Sequence, residues 1–200
     1  DGRGMVMGTL SYYSENAENF ILSTQDVDFE ATQRHFLQYL KPKAHILDFG
    51  CGSGRDSKFF LEQGYEVSAR DGCPEFVRYA TEYTGIEVRQ LLFDELDEVE
   101  VYDGIWACAS ILHLEKKQIE NVYKKIAAAL KKGGYCYSSF KYGDFSGERN
   151  GRFFTDFTEL SFAEIIGRID NLVLVESWIT GDVRDGRGSE RWLNVIVKKI

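Results

Sequence analysis

Apolar residues change their spacing in a repeating way along this chain. Phe29, Phe36, Leu37 and Leu40 recur at helical intervals over residues 28–40, and Lys41-Pro42 closes that run. HILDFG, ending at Gly50, is a short apolar run of the kind that forms a buried strand. Residues 55–63 then read as a helix closed by Gly64, YEVSAR as a strand, 74–83 as a helix with Pro74 in its first turn, and IEVRQLLF as a third strand. YDGIWACAS makes a fourth. A helix is predicted over about 115–130, where Ile119, Val122, Tyr123, Ile126, Ala127 and Leu130 form one stripe and Lys131-Lys132-Gly133-Gly134 supplies cations and a glycine cap. GYCYSSF is a fifth strand. The polar stretch KYGDFSGERNGRFF interrupts the rhythm before a helix near 157–168 and two last strands, LVLVESWI and RWLNVIVKK.

Strands alternating with helices imply right-handed crossovers and a mostly parallel sheet covered on both faces. Only TGDVRDGRGSE joins the last two strands, too little for a crossover helix, so they are expected to pair antiparallel. The expected organisation is one α/β domain over 1–200, with residues 1–11 flexible, 12–42 an N-terminal lid and helix, and 43–200 the core.

Composition narrows the partners. The chain of 200 residues is 44% hydrophobic and 14% aromatic, with net charge −8 and its basic residues scattered among acids, so a nucleic-acid surface is not expected. No apolar run reaches the roughly 18 residues of a membrane span, and no secretory leader is read. Cys51, Cys73, Cys108 and Cys136 form no CxxC pair, which argues against a metal knuckle and for a reducing, cytoplasmic setting.

The candidate chemistry lies in DFGCGSGRDS, residues 48–57, between the first strand and the next helix. Gly50, Gly52 and Gly54 permit unusual backbone angles and close approach by a ligand, and the helix that follows presents unpaired N–H groups. Asp71 stands at the end of the second strand, where a carboxylate accepts ribose hydroxyls; Asp71 as a cap before Pro74 is the alternative. A dinucleotide loop would read GxGxxG, but here Arg55 occupies the third glycine's place. Asp48, ahead of the loop, suits an ammonium group better than a pyrophosphate.

LDFGCGSG, Asp71, Phe93-Asp94 after the third strand and YDGIWACASILHL at the fourth together resemble the class I S-adenosylmethionine-dependent methyltransferases, over roughly residues 12–200. The GCGSGR run looks similar to the small tellurite-resistance-type bacterial branch. The resemblance implies a Rossmann-like three-layer sandwich whose seven-stranded sheet has order 3-2-1-4-5-7-6 with the last strand antiparallel. It implies S-adenosylmethionine as cofactor and S-adenosylhomocysteine as product. Gly50, Cys51 and Gly52 would lie against the methionine part, Asp71 at the ribose, Gly72, Cys73, Phe93 and Asp94 about the adenine, and Ala109 and Ser110 near the amino-acid moiety, with Asp48 and Arg55 also counted among the cofactor-binding residues. Arg70, where the family usually has an apolar or small residue, either covers the adenine or points outward.

His113, after the fourth strand, reads either as a base or as a histidine tied to backbone at a helix start. Tyr12 and Tyr13 read as a lid or as packing. Acceptor contacts are expected from Tyr13, Tyr142, Arg152, Arg184 and Trp192, with Asp182, Arg187 and Arg191 nearby, because guanidinium pairs with carboxylate or phosphate; solvated hairpin charges are the alternative. No Asn-Pro-Pro-Tyr run follows the fourth strand, which favours a small-molecule acceptor. A monomer or homodimer is expected, with no metal. A non-catalytic S-adenosylmethionine sensor or partner subunit, and an NAD-binding oxidoreductase, remain the rival readings.

Overall fold

The computed structural model describes residues 2–25, 27–182, 186 and 190–200, with side chains from residue 7 onward. Its centre is β1 (His45–Phe49), four of whose five residues are buried, as befits a strand covered on both faces. β1 pairs in parallel with β2 (Glu66–Asp71) on one side and β4 (Tyr102–Ala107) on the other. The sheet extends outward through β3 (Val88–Gln90) beyond β2, and through β5 (Leu130–Lys141), β9 (Arg191–Lys199) and β8 (Leu172–Gly181) beyond β4. β9 runs antiparallel between β5 and β8. This is the expected order, the last strand in the chain being the antiparallel insert.

Period-two alternation divides the core. Leu47, Phe49, Ile105 and Ala107 face one side, where they meet α5 (Lys116–Ala129) and α6 (Glu159–Ile166) through Ile119, Val122, Ile126, Phe162 and Ile165. Ile46, Trp106, Tyr137 and Ile196 face the other, against Phe36 of α2 (Glu30–Leu37) and Phe60 of α3 (Arg55–Glu62). Trp106 stacks on Tyr137 with ring centres 4.2 Å apart. α4 (Pro74–Thr84), with proline in its first turn, covers the β2–β3 end.

The N-terminal segment carries α1, which runs from Gly2 to Thr24 and is held by the stripe Tyr13, Ala17, Phe20 and Ile21 against Cys73 and Phe76 of the α4 turn. Three expectations change. The third strand keeps only three of its eight expected residues, since Phe93–Glu95 turn into a 3-10 helix. KYGDFSGERNGRFF contains a hairpin, β6 (Ser146–Arg149) with β7 (Arg152–Thr155), which forms its own two-stranded sheet. α5 has no glycine cap: Leu130 leaves the helix in extended conformation to pair with Tyr102, and its carbonyl accepts from Lys199 Nζ at 2.7 Å.

Among the described residues no helix is long and apolar enough to cross a membrane. Gly104 in β4 lets α2 settle on the sheet, for a Cβ there would lie 2.9 Å from both Leu40 Cδ1 and Phe36 Cζ. Gly104→Val is therefore expected to destabilise the fold by about 1–3 kcal/mol through overpacking. Thermal unfolding checks this, with Tm falling by about 2–4 °C per kcal/mol in a chain of this size.

Candidate functional site

Where strand order reverses, between β1 and β4, the chain leaves the sheet in opposite directions and opens a crevice beyond the strands' carboxyl ends. The glycine turn lies on its floor. Gly50 and Gly52 have φ of 83° and 54°, in the left-handed region that favours glycine. Their reasons differ. A Cβ on Gly50 would sit 2.5 Å from Ser110 Cβ, so that glycine is demanded by the protein's own packing. A Cβ on Gly52 would meet only Phe20, at 3.6 Å, so Gly52 keeps an open cradle at the cleft. Gly54 serves packing, since its Cβ would lie 2.9 Å from Thr84 of α4. Of the three alternating glycines, only Gly52 faces free space for a ligand.

Asp71 fixes this cradle. Its Oδ2 accepts the Gly52 N–H at 2.9 Å and its Oδ1 the Cys73 N–H at 2.8 Å. Burial raises its carboxyl from 3.8 to about 6, against the lowering effect of those two donors. Cys73, Gly72, Leu91, Leu92 and Phe93 line the cleft beside it. On the far side of the turn Asp56 collects Gln33 Nε2 at 2.6 Å, Trp106 Nε1 at 3.0 Å and Arg55 Nε at 3.1 Å, so the start of α3 is tied to α2 and β4. Ala109 is held at φ 46° by donating its N–H to Ser139 Oγ at 2.7 Å, a strained backbone at the cleft wall.

The cleft continues past His113. Phe153 O accepts from the His113 Nδ1–H at 2.8 Å, which leaves Nε2 with its lone pair to accept the Tyr13 hydroxyl at 2.8 Å. Burial lowers the His113 pKa from 6.5 to about 4, so the ring is neutral at neutral pH. His113 is thus tied to backbone through Nδ1 and to α1 through Nε2. Burial raises the Tyr13 phenol, with Arg152 opposing. Arg152 Nη1 donates to Tyr13 Oη at 3.4 Å. Lys141, Phe154, Trp192 and Asn194 complete this end.

The structure gathers Gly50, Cys51, Gly52, Arg55, Asp71, Gly72, Cys73, Phe93, Ala109, Ser110, His113, Tyr13, Arg152 and Trp192 about one cleft. Three candidates lie outside its lining. Asp48 is buried behind the turn, where it accepts Ser57 Oγ at 2.7 Å, and burial with the nearby Asp56 charge raises its pKa. Asp94 is exposed on the 3-10 turn, and Tyr142 stacks under Arg191 at 4.9 Å. Arg70 turns away to Glu98, 3.8 Å distant. Arg184 and Arg187 lie outside the described residues. Sequence reasoning missed Phe20, Asp56 and Phe76. The charged Asp56 beside Arg55 was a visible signal, whereas Phe20 required the run of α1 to be seen. No group of three or more metal-ligating side chains occurs among the described residues.

Two ionisations oppose each other. Between about 4 and 6.5 the unfolded chain protonates a histidine that the folded state keeps neutral, so His113 makes stability rise with pH. Between 3.8 and about 6 the folded state holds the Asp71 proton more tightly, so Asp71 makes stability fall with pH. Nitrogen NMR of the imidazole is expected to show a neutral Nδ1–H tautomer down to about pH 5 with a midpoint near 4. A midpoint at the ordinary histidine value contradicts this geometry.

Residues 46–134, from β1 into β5, match the family model described as a methyltransferase domain. The chain is 24% identical over 176 residues to Hemagglutinin 1 of Eikenella corrodens, 79% of this chain and 58% of that protein. It is 34% identical over 91 residues to the ubiquinone biosynthesis O-methyltransferase of Rickettsia conorii, 42% of this chain and 32% of that one. The chain thus spans less than two thirds of the length of these curated relatives. Among solved structures, the 1,6-didemethyltoxoflavin-N1-methyltransferase of Burkholderia thailandensis, crystallised with that compound and S-adenosylhomocysteine, superposes with TM-score 0.80 at 23% identity, covering 100% of this chain and 90% of its own. This chain carries a methyltransferase-domain match over residues 46–134 and has the Rossmann-like methyltransferase fold.

Proposed function

We propose that the chain is an S-adenosylmethionine-dependent methyltransferase acting on a small-molecule acceptor. The observation that carries this is the open Gly52 cradle clamped to Asp71 at the switch point of the sheet. The residues suit the cofactor. The remaining lone pairs of Asp71 accept ribose hydroxyls, Phe93, Leu91, Leu92 and Cys73 form an apolar slot for a purine, and Arg55 with Asp56 offers both charges to an amino-acid end. Asp94, exposed on the 3-10 turn, and Asp48, which accepts Ser57 Oγ behind the glycine turn, stand apart from this set. When bound, this cofactor supplies an electrophilic methyl group on a sulfonium. Tyr13 and Phe20 of α1 roof the cleft and exclude water, and His113 Nε2 holds the Tyr13 hydroxyl in place on the acceptor side.

A cleft covered by a helix suits a small acceptor better than a polymer. The GCGSGR run supports placing the chain near the tellurite-resistance-type branch. Four free thiols suit a reducing, cytoplasmic compartment.

Isothermal calorimetry is expected to show binding of S-adenosylmethionine and S-adenosylhomocysteine and none of NADH. Affinity should weaken as pH falls through about 6, by roughly tenfold per unit below it, as the Asp71 carboxylate takes a proton. Asp71→Asn should cost about 1–3 kcal/mol of binding and flatten that pH dependence. If neither nucleoside gives heat or a thermal shift, the reading fails.

A further inference from the structure

Two arginines of the β6–β7 hairpin differ in how they are paired. Arg149 is satisfied by Asp156, with Nη1 to Oδ1 at 2.9 Å and Nη2 to Oδ2 at 2.6 Å. Arg152, which lines the cleft, has no carboxylate within ion-pair distance among the described residues. Its Nε is buried without a partner, and the hydrogen bond to Tyr13 is long at 3.4 Å. The guanidinium is caged instead by rings, with Tyr12, Phe154 and Tyr13 centred 4.9, 5.1 and 5.9 Å away. Rings stabilise a cation but leave its N–H donors unfilled. A guanidinium with open donors in an aromatic cage is built to pair with a flat anion through a bidentate fork.

The other groups at this end agree. Lys141 adds a second cation, with Glu190 3.6 Å away, and Asp182, the one acid lining this end among the described residues, accepts Trp192 Nε1 at 3.0 Å. His113 Nε2 is taken up by the Tyr13 hydroxyl at 2.8 Å, so this histidine offers an acceptor no free base. An acceptor that arrives already deprotonated needs no such help.

We propose that the acceptor half of the cleft binds a small planar acid as its conjugate base, with Arg152 as the residue that pairs with the anion. The inference rests on the methyltransferase reading for its chemical meaning. The acceptor anion supplies the electron pair of the new bond to the methyl carbon, and sulfur keeps the pair of the bond that breaks. The charges cancel and no proton moves in the step.

The test compares benzoate with benzamide, and indole-3-acetate with indole-3-acetamide, by saturation-transfer NMR and calorimetry on the whole chain, with and without S-adenosylhomocysteine. Each carboxylate is expected to bind about tenfold or more tightly than its amide. Arg152→Gln should abolish that preference while leaving S-adenosylhomocysteine affinity and Tm nearly unchanged, and Arg152→Lys should keep part of it. Equal binding of acid and amide to the wild type, no binding of either carboxylate at millimolar concentration, or a preference that survives Arg152→Gln overturns the proposal. Should Arg152→Gln fail to fold, the wild-type comparison and Arg152→Lys still decide. Failure of S-adenosylhomocysteine to bind would sink the cofactor reading separately, because the carboxylate preference is read without it.

Discussion

The Asp71 carboxylate is the constraint on which the cleft depends. Placing a carboxylate at the end of a covered strand costs desolvation, and the two backbone N–H groups of Gly52 and Cys73 offset it. Those donors belong to different loops, one after β1 and one after β2. The carboxylate therefore holds the glycine turn in its left-handed shape and anchors the start of α4 at the same point. Each of the two N–H groups would otherwise lie in the cleft wall without a protein partner.

Asp56 does for the opposite side of the sheet what Asp71 does for the rim. It gathers an amide from α2, an indole from β4 and its neighbour's guanidinium. The indole is that of Trp106, which also stacks on Tyr137 of β5, so a polar knot at the mouth is continuous with the aromatic core beneath it. Core and site are set by the same residues, and a repacking of Trp106 would be felt at Arg55.

Much of this was legible in the pattern of residues. The alternation of strand and helix, the antiparallel final pair and the stripe of α5 follow from hydrophobic spacing alone, and Asp71 and the glycine turn from their places at strand ends. The rest needed three dimensions. α1 was hidden because its apolar stripe is interrupted by serine, asparagine and glutamate and finds its partner only in the α4 turn. The β6–β7 hairpin was hidden by its glycines and charges, which read as loop until Arg149 and Asp156 are seen paired across it. Asp48 stands in the right run but faces Ser57 behind the turn, a matter of which side of one strand a side chain takes.

α1 is shared by both ends of the cleft. Tyr13 and Phe20 line it beside Gly52, and the Tyr13 hydroxyl reaches His113 Nε2 at 2.8 Å at the other end. Phe20 also packs on Phe76, with ring centres 5.3 Å apart. One helix thus carries walls of two compartments, and a substitution that shifts it at one end is felt at the other.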